Sequence, residues 1–288
     1  MIRPHRRLSR DRVWVAAYLG LCVIMVAVGW TVVMTPAPVA EAGHSSAPMV
    51  AATPRTTVRA DPTPTEIPTP DPSAAASVVP TPDATPTKAP LQLDLYRPGT
   101  FVTQMNRDYC MAGAIQNMLN IVGPGVDLTV GRQTQIGDVL VSLTTRTDSY
   151  NGGFGAEGWA LTMTKLGGGN YQLVIDATFD QAMRDAALAI SRTSRPAGLL
   201  TWWGAHSWVM TGFKADADPA LFPTTFKLSG AYIMDPFYPR LSDIWGQTLG
   251  PDTFRDMTAM AKNYIGWKRP EGRYPDRDGK WLLVIPVD

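Results

Sequence analysis

The sequence predicts an α+β domain, and three observations predict it. Helical periodicity dominates the middle of the chain, over 109–122, 156–166 and from 178 onward. Runs rich in strand-forming residues come mostly later, as AGLLTWW, HSWVMTGFK, GAYIMD and the terminal WLLVIPV. Short turns join the two sets, so helices and strands segregate instead of alternating as βαβ units.

Chain order begins outside this domain. Within 288 residues, 26 Lys and Arg face 25 Asp and Glu, a net charge of +1. That balance argues against a nucleic-acid partner drawn by a bulk positive field. Residues 1–12 hold Arg3, Arg6, Arg7, Arg10 and Arg12 against the single acid Asp11. Residues 13–34 carry no charge and reach about 33 Å as a helix at about 1.5 Å per residue, enough to span a bilayer core. The basic flank predicts a single-pass anchor with its N-terminus in the cytoplasm and the rest of the chain outside the cell membrane. A cleaved signal peptide, releasing a secreted domain after the AEA of Ala40–Ala42, is the rival reading. Its apolar region would exceed the usual length of about 7–15 residues.

Residues 35–90 shift to Pro, Thr, Ala and Ser, with almost nothing to bury. Such a segment cannot offset the entropy of ordering and reads as an extended, disordered linker. The globular domain then occupies 91–288, long enough for one sizeable core.

Inside it, Asp108 is expected to cap a helix over 109–122, closed by Gly123-Pro124-Gly125. Met111, Ile115, Met118 and Val122 share its apolar face, while Cys110, Ala114 and Asn117 form a small, polar face suited to border a cleft. A second helix covers Ala156–Leu166. A third starts at Thr178, where Thr178 and Gln181 spell a capping box, and buries Phe179, Met183, Ala187 and Ile190. Asp252–Tyr264 is a fourth. Glycine-rich KLGGGNY lacks the spacing of a phosphate-binding loop and reads as a helix end and turn. In HSWVMTG, His206, Trp208 and Met210 alternate with Ser207, Val209 and Thr211 across the two faces of a strand.

Cys22 lies in the apolar run, so Cys110 is alone in the domain and no intrachain disulfide can form there. His5 and His44 precede the domain, which leaves His206 as its one imidazole. A zinc site of Cys and His ligands is thereby nearly excluded, and neither metal nor cofactor is expected. A thiol in the first turn of a helix is favoured as thiolate by the unpaired N–H groups and the helix dipole. It needs a base, and the base needs an orienting group. His206 opens a strand, and Asp235 ends the next one before Pro236. Gln104, six residues before Cys110, can join the Cys110 backbone N–H in holding an oxyanion. Each residue alone has a plainer reading: a buried thiol, a packed histidine, an Asp-Pro turn, a loop amide. Their order and context favour a shared site. Trp202, Trp203 and Trp208 surround His206, as a shield, a substrate wall or core. Trp203, Trp208 and Met111 are the candidate substrate-lining residues.

QMNRDYCMAGAIQNML, WWGAHSWVMTGF and YIMDPFYP together resemble the papain-like cysteine peptidases. The branch similar to the double-glycine (bacteriocin) leader peptidases is nearer, since TSRPAGLLTWWGAHSWVMTG and YNGGFGAEGWALTMTKLGG also resemble it. The resemblance covers most of 91–240. It implies a papain-like fold, a peptide or protein substrate, Cys110 as nucleophile, His206 as base and acid, Asp235 as its orienter and Gln104 as oxyanion donor. The chain departs from the pattern at Met111 and Ala112, where the family carries glycine and often proline. A longer stretch between histidine and aspartate leaves Asp243 as a fallback for Asp235. Two other readings stay open: an inactive peptide- or cell-wall-binding module on the same scaffold, and a transglutaminase-like acyltransferase.

Overall fold

The computed structural model describes residues 86–288 except Tyr150 and Arg269. The basic segment, the expected anchor at 13–34 and most of the expected linker lie outside the described residues. Among the described residues no helix is long and apolar enough to cross a membrane.

Three helices precede most of the sheet: α1 (Cys110–Val122), α2 (Val130–Leu143) and α3 (Ala156–Lys165). A fourth, α4 (Phe179–Thr193), and a short α5 (Met257–Ala261) come later. The sheet is built from β1 (Leu91–Asp94), β2 (Tyr171–Asp176), β3 (Ala197–Thr201), β4 (His206–Ala215), β5 (Leu228–Met234), β8 (Thr253–Asp256) and β9 (Trp281–Pro286). Its order is β2-β9-β3-β4-β5-β8, every pairing is antiparallel, and β1 pairs with the far half of β4. Strands β6 (Leu241–Ser242) and β7 (Gly246–Gln247) form a separate hairpin. This is the α+β class read from the sequence.

Alternation along the central strands explains the layers. Leu200, Val209, Met234, Leu282 and Val284 share one apolar cluster with α1, α2 and α3. Leu199, Trp208, Met210, Ile233, Leu283 and Ile285 share a second with α4 and α5. Strands covered on both faces read as continuous apolar runs, which is why AGLLT and WLLVIP lack alternation in the sequence. The C-terminal strand β9 therefore lies inside the sheet, between β2 and β3.

Two local expectations change, and one helix is new. Asp108 does not cap α1: Tyr109 holds that position without a side-chain cap. The expected helix at 252–264 is instead β8 followed by five residues of helix, capped by the Asp256 carboxylate on the Ala259 N–H. Helix α2 carries no strong apolar stripe; Gly137 within it lets α2 approach Tyr109, whose ring a Cβ there would meet at 2.9 Å. Thr178 does cap α4, accepting from the Gln181 N–H at 3.2 Å.

Gly198 in β3 sets how α3 docks, because a Cβ at that position would lie 2.3 Å from the ring of the fully buried Trp159. Gly198→Val is expected to destabilise the domain by about 3 kcal/mol, the upper part of the range for overpacking a core. Denaturant unfolding followed by tryptophan fluorescence measures this, and a wild-type midpoint would contradict the packing described.

Candidate active site

Strand β5 ends at Met234, and Asp235 follows with its side chain fully buried. Asp235 Oδ1 accepts from His206 Nε2 at 2.7 Å and from the Phe237 N–H at 2.9 Å. The turn after β5 thus fixes the carboxylate, and the carboxylate fixes the imidazole. With Nε2 engaged, Nδ1 is the nitrogen left for Cys110, and interaction with the His206 imidazole lowers the thiol's pKa.

Cys110 is the first residue of α1 and is partly exposed. Burial alone would raise its pKa. Its hydrogen bond and charge interaction with His206, a hydrogen bond from Ser207 and one from the Met111 N–H outweigh that and bring the thiol below its ordinary value. For His206, burial alone would lower the pKa. Hydrogen bonds to Asp235 and Cys110, with the charges of both, raise it to about 9. Both shifts favour the thiolate–imidazolium form of the pair over the neutral one.

The loop before β4 is strained. Trp202, Trp203 and Gly204 have φ of 54°, 61° and 85°, three consecutive left-handed residues. For a side chain with a Cβ this costs about 1–2 kcal/mol per residue. The surroundings hold it there. Trp202 N–H donates to Asn263 O at 2.9 Å, and Lys268 N–H donates to Trp203 O at 3.0 Å. A Cβ on Gly204 would strike the Trp267 ring at 2.2 Å. The strained turn stacks Trp202 on the His206 ring at 4.1 Å, with Phe237 edge-on to both.

Gln104 lies under the start of α1. Gly113 permits the approach, since a Cβ there would already sit 3.1 Å from Gln104 and from Pro236. Gln104 N–H donates to Pro236 O at 2.7 Å, and Arg240 Nη1 donates to Gln104 O at 2.6 Å, which ties the segment to the Asp235 turn. The side-chain amide is turned to its own loop: Nε2 donates to Asn106 O at 2.6 Å and to Arg107 O at 3.2 Å. The first-turn N–H groups of α1, which have no intrahelical acceptor, remain beside the thiol.

Cys110, His206 and Asp235 therefore come together, with Gln104 adjoining. Asp243 does not replace Asp235; it is exposed and pairs with Arg107 at 3.8 Å. Two of the expected substrate-lining residues are core instead. Met111 is buried in the cluster between the helices and the sheet, and Trp208 is buried against α4 on the opposite face. Trp203 is half-buried and packs edge-on against Trp245 at 5.1 Å. Beyond Cys110, the small, polar face of α1 does not border a cleft: Ala114 is buried. Asn117 is fully buried, accepting from Val102 N–H at 2.7 Å and donating to Val102 O at 3.1 Å. Trp202 was expected beside His206, whereas Phe237, Trp245 and the part played by Ser207 escaped the sequence reading. Ser207 shares the α1-facing side of β4 with Val209, and its place directly after His206 was the available signal. Among the described residues no cluster of His, Cys, Asp and Glu is fit to hold a metal ion.

Comparison with known proteins gives neither a matching family model nor a matching curated protein. What the structure itself provides is an α+β fold and a buried His206–Asp235 pair beside a helix-start cysteine.

Ser207→Ala is expected to move the pH midpoint of Cys110 alkylation upward, because a donor to the thiolate is lost. Ser207→Thr, which keeps the hydroxyl, is expected to restore it. An unchanged midpoint in Ser207→Ala would remove Ser207 from the site.

Proposed function

We propose that the domain is a papain-like thiol hydrolase of peptide or amide bonds, tethered to the outer side of the cell membrane by the apolar run at 13–34. The observation that carries this reading is the 2.7 Å hydrogen bond between buried His206 and Asp235, with the Cys110 thiol on the imidazole's other side. That arrangement also fits the resemblance of the Cys110, His206 and Asp235 segments to the papain-like peptidases.

In the proposed reaction the Cys110 thiolate attacks the substrate carbonyl and forms a C–S bond. The carbonyl π electrons move to oxygen, where first-turn N–H groups of α1 stabilise the charge. Gln104 adds its amide only by turning it from the carbonyls of Asn106 and Arg107. The C–N bond then breaks, and the His206 imidazolium gives its proton to the leaving amine. Neutral His206 next takes a proton from water, whose oxygen attacks the thioester. The acid leaves and the thiolate–imidazolium pair re-forms. Asp235 stays ionised throughout, orienting the ring and stabilising its positive form. Trp202 and Phe237 cover the ring and limit the water that would weaken the pair.

Iodoacetamide labelling of the full chain tests the reading. His206→Ala is expected to slow alkylation about thirtyfold at pH 7, toward an ordinary thiol with pKa near 8.5 that is about 3 % ionised there. A mixed peptide library read by mass spectrometry is expected to show cleavage that disappears in Cys110→Ala. Products carrying an added amine instead of water would indicate acyl transfer. A thiol that is inert at pH 7, or a rate indifferent to His206→Ala, would overturn the proposal.

A further inference from the structure

Beside His206 lies a cavity of about 220 Å³ walled by Trp202, Phe237, Leu241, Ile244 and Trp245. Among the described residues that line it are His206 and Ala205, but not Cys110, so it opens on the imidazole side of the reacting pair. Its outer wall is the β6–β7 hairpin, and that hairpin is unusual in what it shows to solvent. Leu241 and Ile244 are 64 % and 67 % exposed. Trp245 stacks on Trp202 at 5.7 Å and 8°, and Trp202 stacks in turn on His206. A column of two indoles and an imidazole thus runs from the hairpin to the base. Arg107 and Asp243 meet at the mouth at 3.8 Å, a pairing that offsets the charge of each.

We infer that this cavity is the subsite for the residue on the leaving-group side of the scissile bond, and that it selects a large apolar or aromatic side chain there. The inference rests on the thiol-hydrolase reading. In that reaction the acyl group stays on Cys110 Sγ, while the departing nitrogen takes its proton from His206. The departing nitrogen must therefore lie within hydrogen-bonding distance of the imidazole, at roughly 2.6–3.2 Å. Its residue's side chain then begins one Cα away, where the cavity opens. Aromatic walls favour offset or edge-on rings and branched aliphatic groups, and a charged side chain would lose water there without an unpaired partner. Exposed Leu241 and Ile244 gain cover only when such a group is bound, which gives their exposure a purpose.

Three amides that mimic the amine product provide the test: glycinamide, leucinamide and phenylalaninamide. Their affinity for the full chain is read by protection of Cys110 from iodoacetamide and, independently, by tryptophan fluorescence titration. Leucinamide and phenylalaninamide are expected to bind at least about tenfold more tightly than glycinamide, the order that follows from burying one large apolar side chain. Trp245→Ala, and Ile244→Asp on the exposed hairpin, are each expected to cut that ratio to about fourfold or less, the residual advantage of about one buried methylene. Equal affinities in the wild type, or a ratio unmoved by both variants, would overturn the subsite. The alkylation rate without amide reports on the hydrolase reading alone. If the thiol proves inert, the fluorescence titration still decides the pocket.

Discussion

A single buried hydrogen bond, from His206 Nε2 to Asp235 Oδ1 at 2.7 Å, orders the site in both directions along the chain. Toward Asp235 it is anchored by the Phe237 N–H and by the turn that follows β5. Toward His206 it commits one ring nitrogen and leaves the other for Cys110. Burial makes the arrangement demanding. Two ionisable groups removed from water are tolerable only when they are paired. Here His206 lies between the Asp235 carboxylate and Cys110, and hydrogen bonds from Ser207 and the Met111 N–H further lower the thiol's pKa. Losing one member leaves the others charged and under-satisfied, so the three residues are expected to behave as a unit.

The scaffold spends local strain to keep that unit aligned. Left-handed Trp202 and Trp203 are held by backbone bonds from the Asn263–Lys268 segment and by the Trp267 ring packed on Gly204. Trp267 is in turn covered by the Arg277 guanidinium, 5.6 Å from its ring. Arg277 is buried and paired with Asp148 at 3.0 Å. Asp148 also accepts from the Glu157 and Gly158 N–H groups at the start of α3. A continuous path therefore links the helical layer to the turn that aims Trp202 at His206. On the Cys110 side, α1 is fixed by amides used as pegs. Gln116, Asn117 and Asn120 bond to the backbone of the segments at 100–102 and 127–129. Buried amides fully paired in this way favour one geometry over near alternatives.

Cys110, His206 and Asp235 were legible in the sequence because each sits at the end of a strongly patterned element: a helix start, a strand start and a strand end before proline. The layered sheet was only half legible. AGLLT and WLLVIP announce strands, but an apolar run does not say whether it is an edge or a centre, so the inward place of β9 was hidden. Helix α2 was missed because VGRQTQIGDVLVSL carries two glycines and exposed Val130 and Val141, which blur its period. Asn117 misled for a different reason. A polar residue on a helix suggests solvent, yet its partners are the backbone groups of Val102, and contacts with a distant loop leave no local mark. Trp245 lies in a stretch without periodicity, and its importance comes only from stacking on Trp202.

In the proposed reaction Cys110 and His206 rest as an ion pair oriented by Asp235. Imidazole nitrogen NMR on histidine-labelled full chain, with His206 assigned by its loss in His206→Ala, measures this directly. Both His206 nitrogens are expected to be protonated at pH 7 and to titrate only near pH 9, with titration at lower pH in Cys110→Ala, where the thiolate's charge is gone. A His206 that is neutral at pH 7 in the wild type, or one that titrates identically in Cys110→Ala, would contradict it.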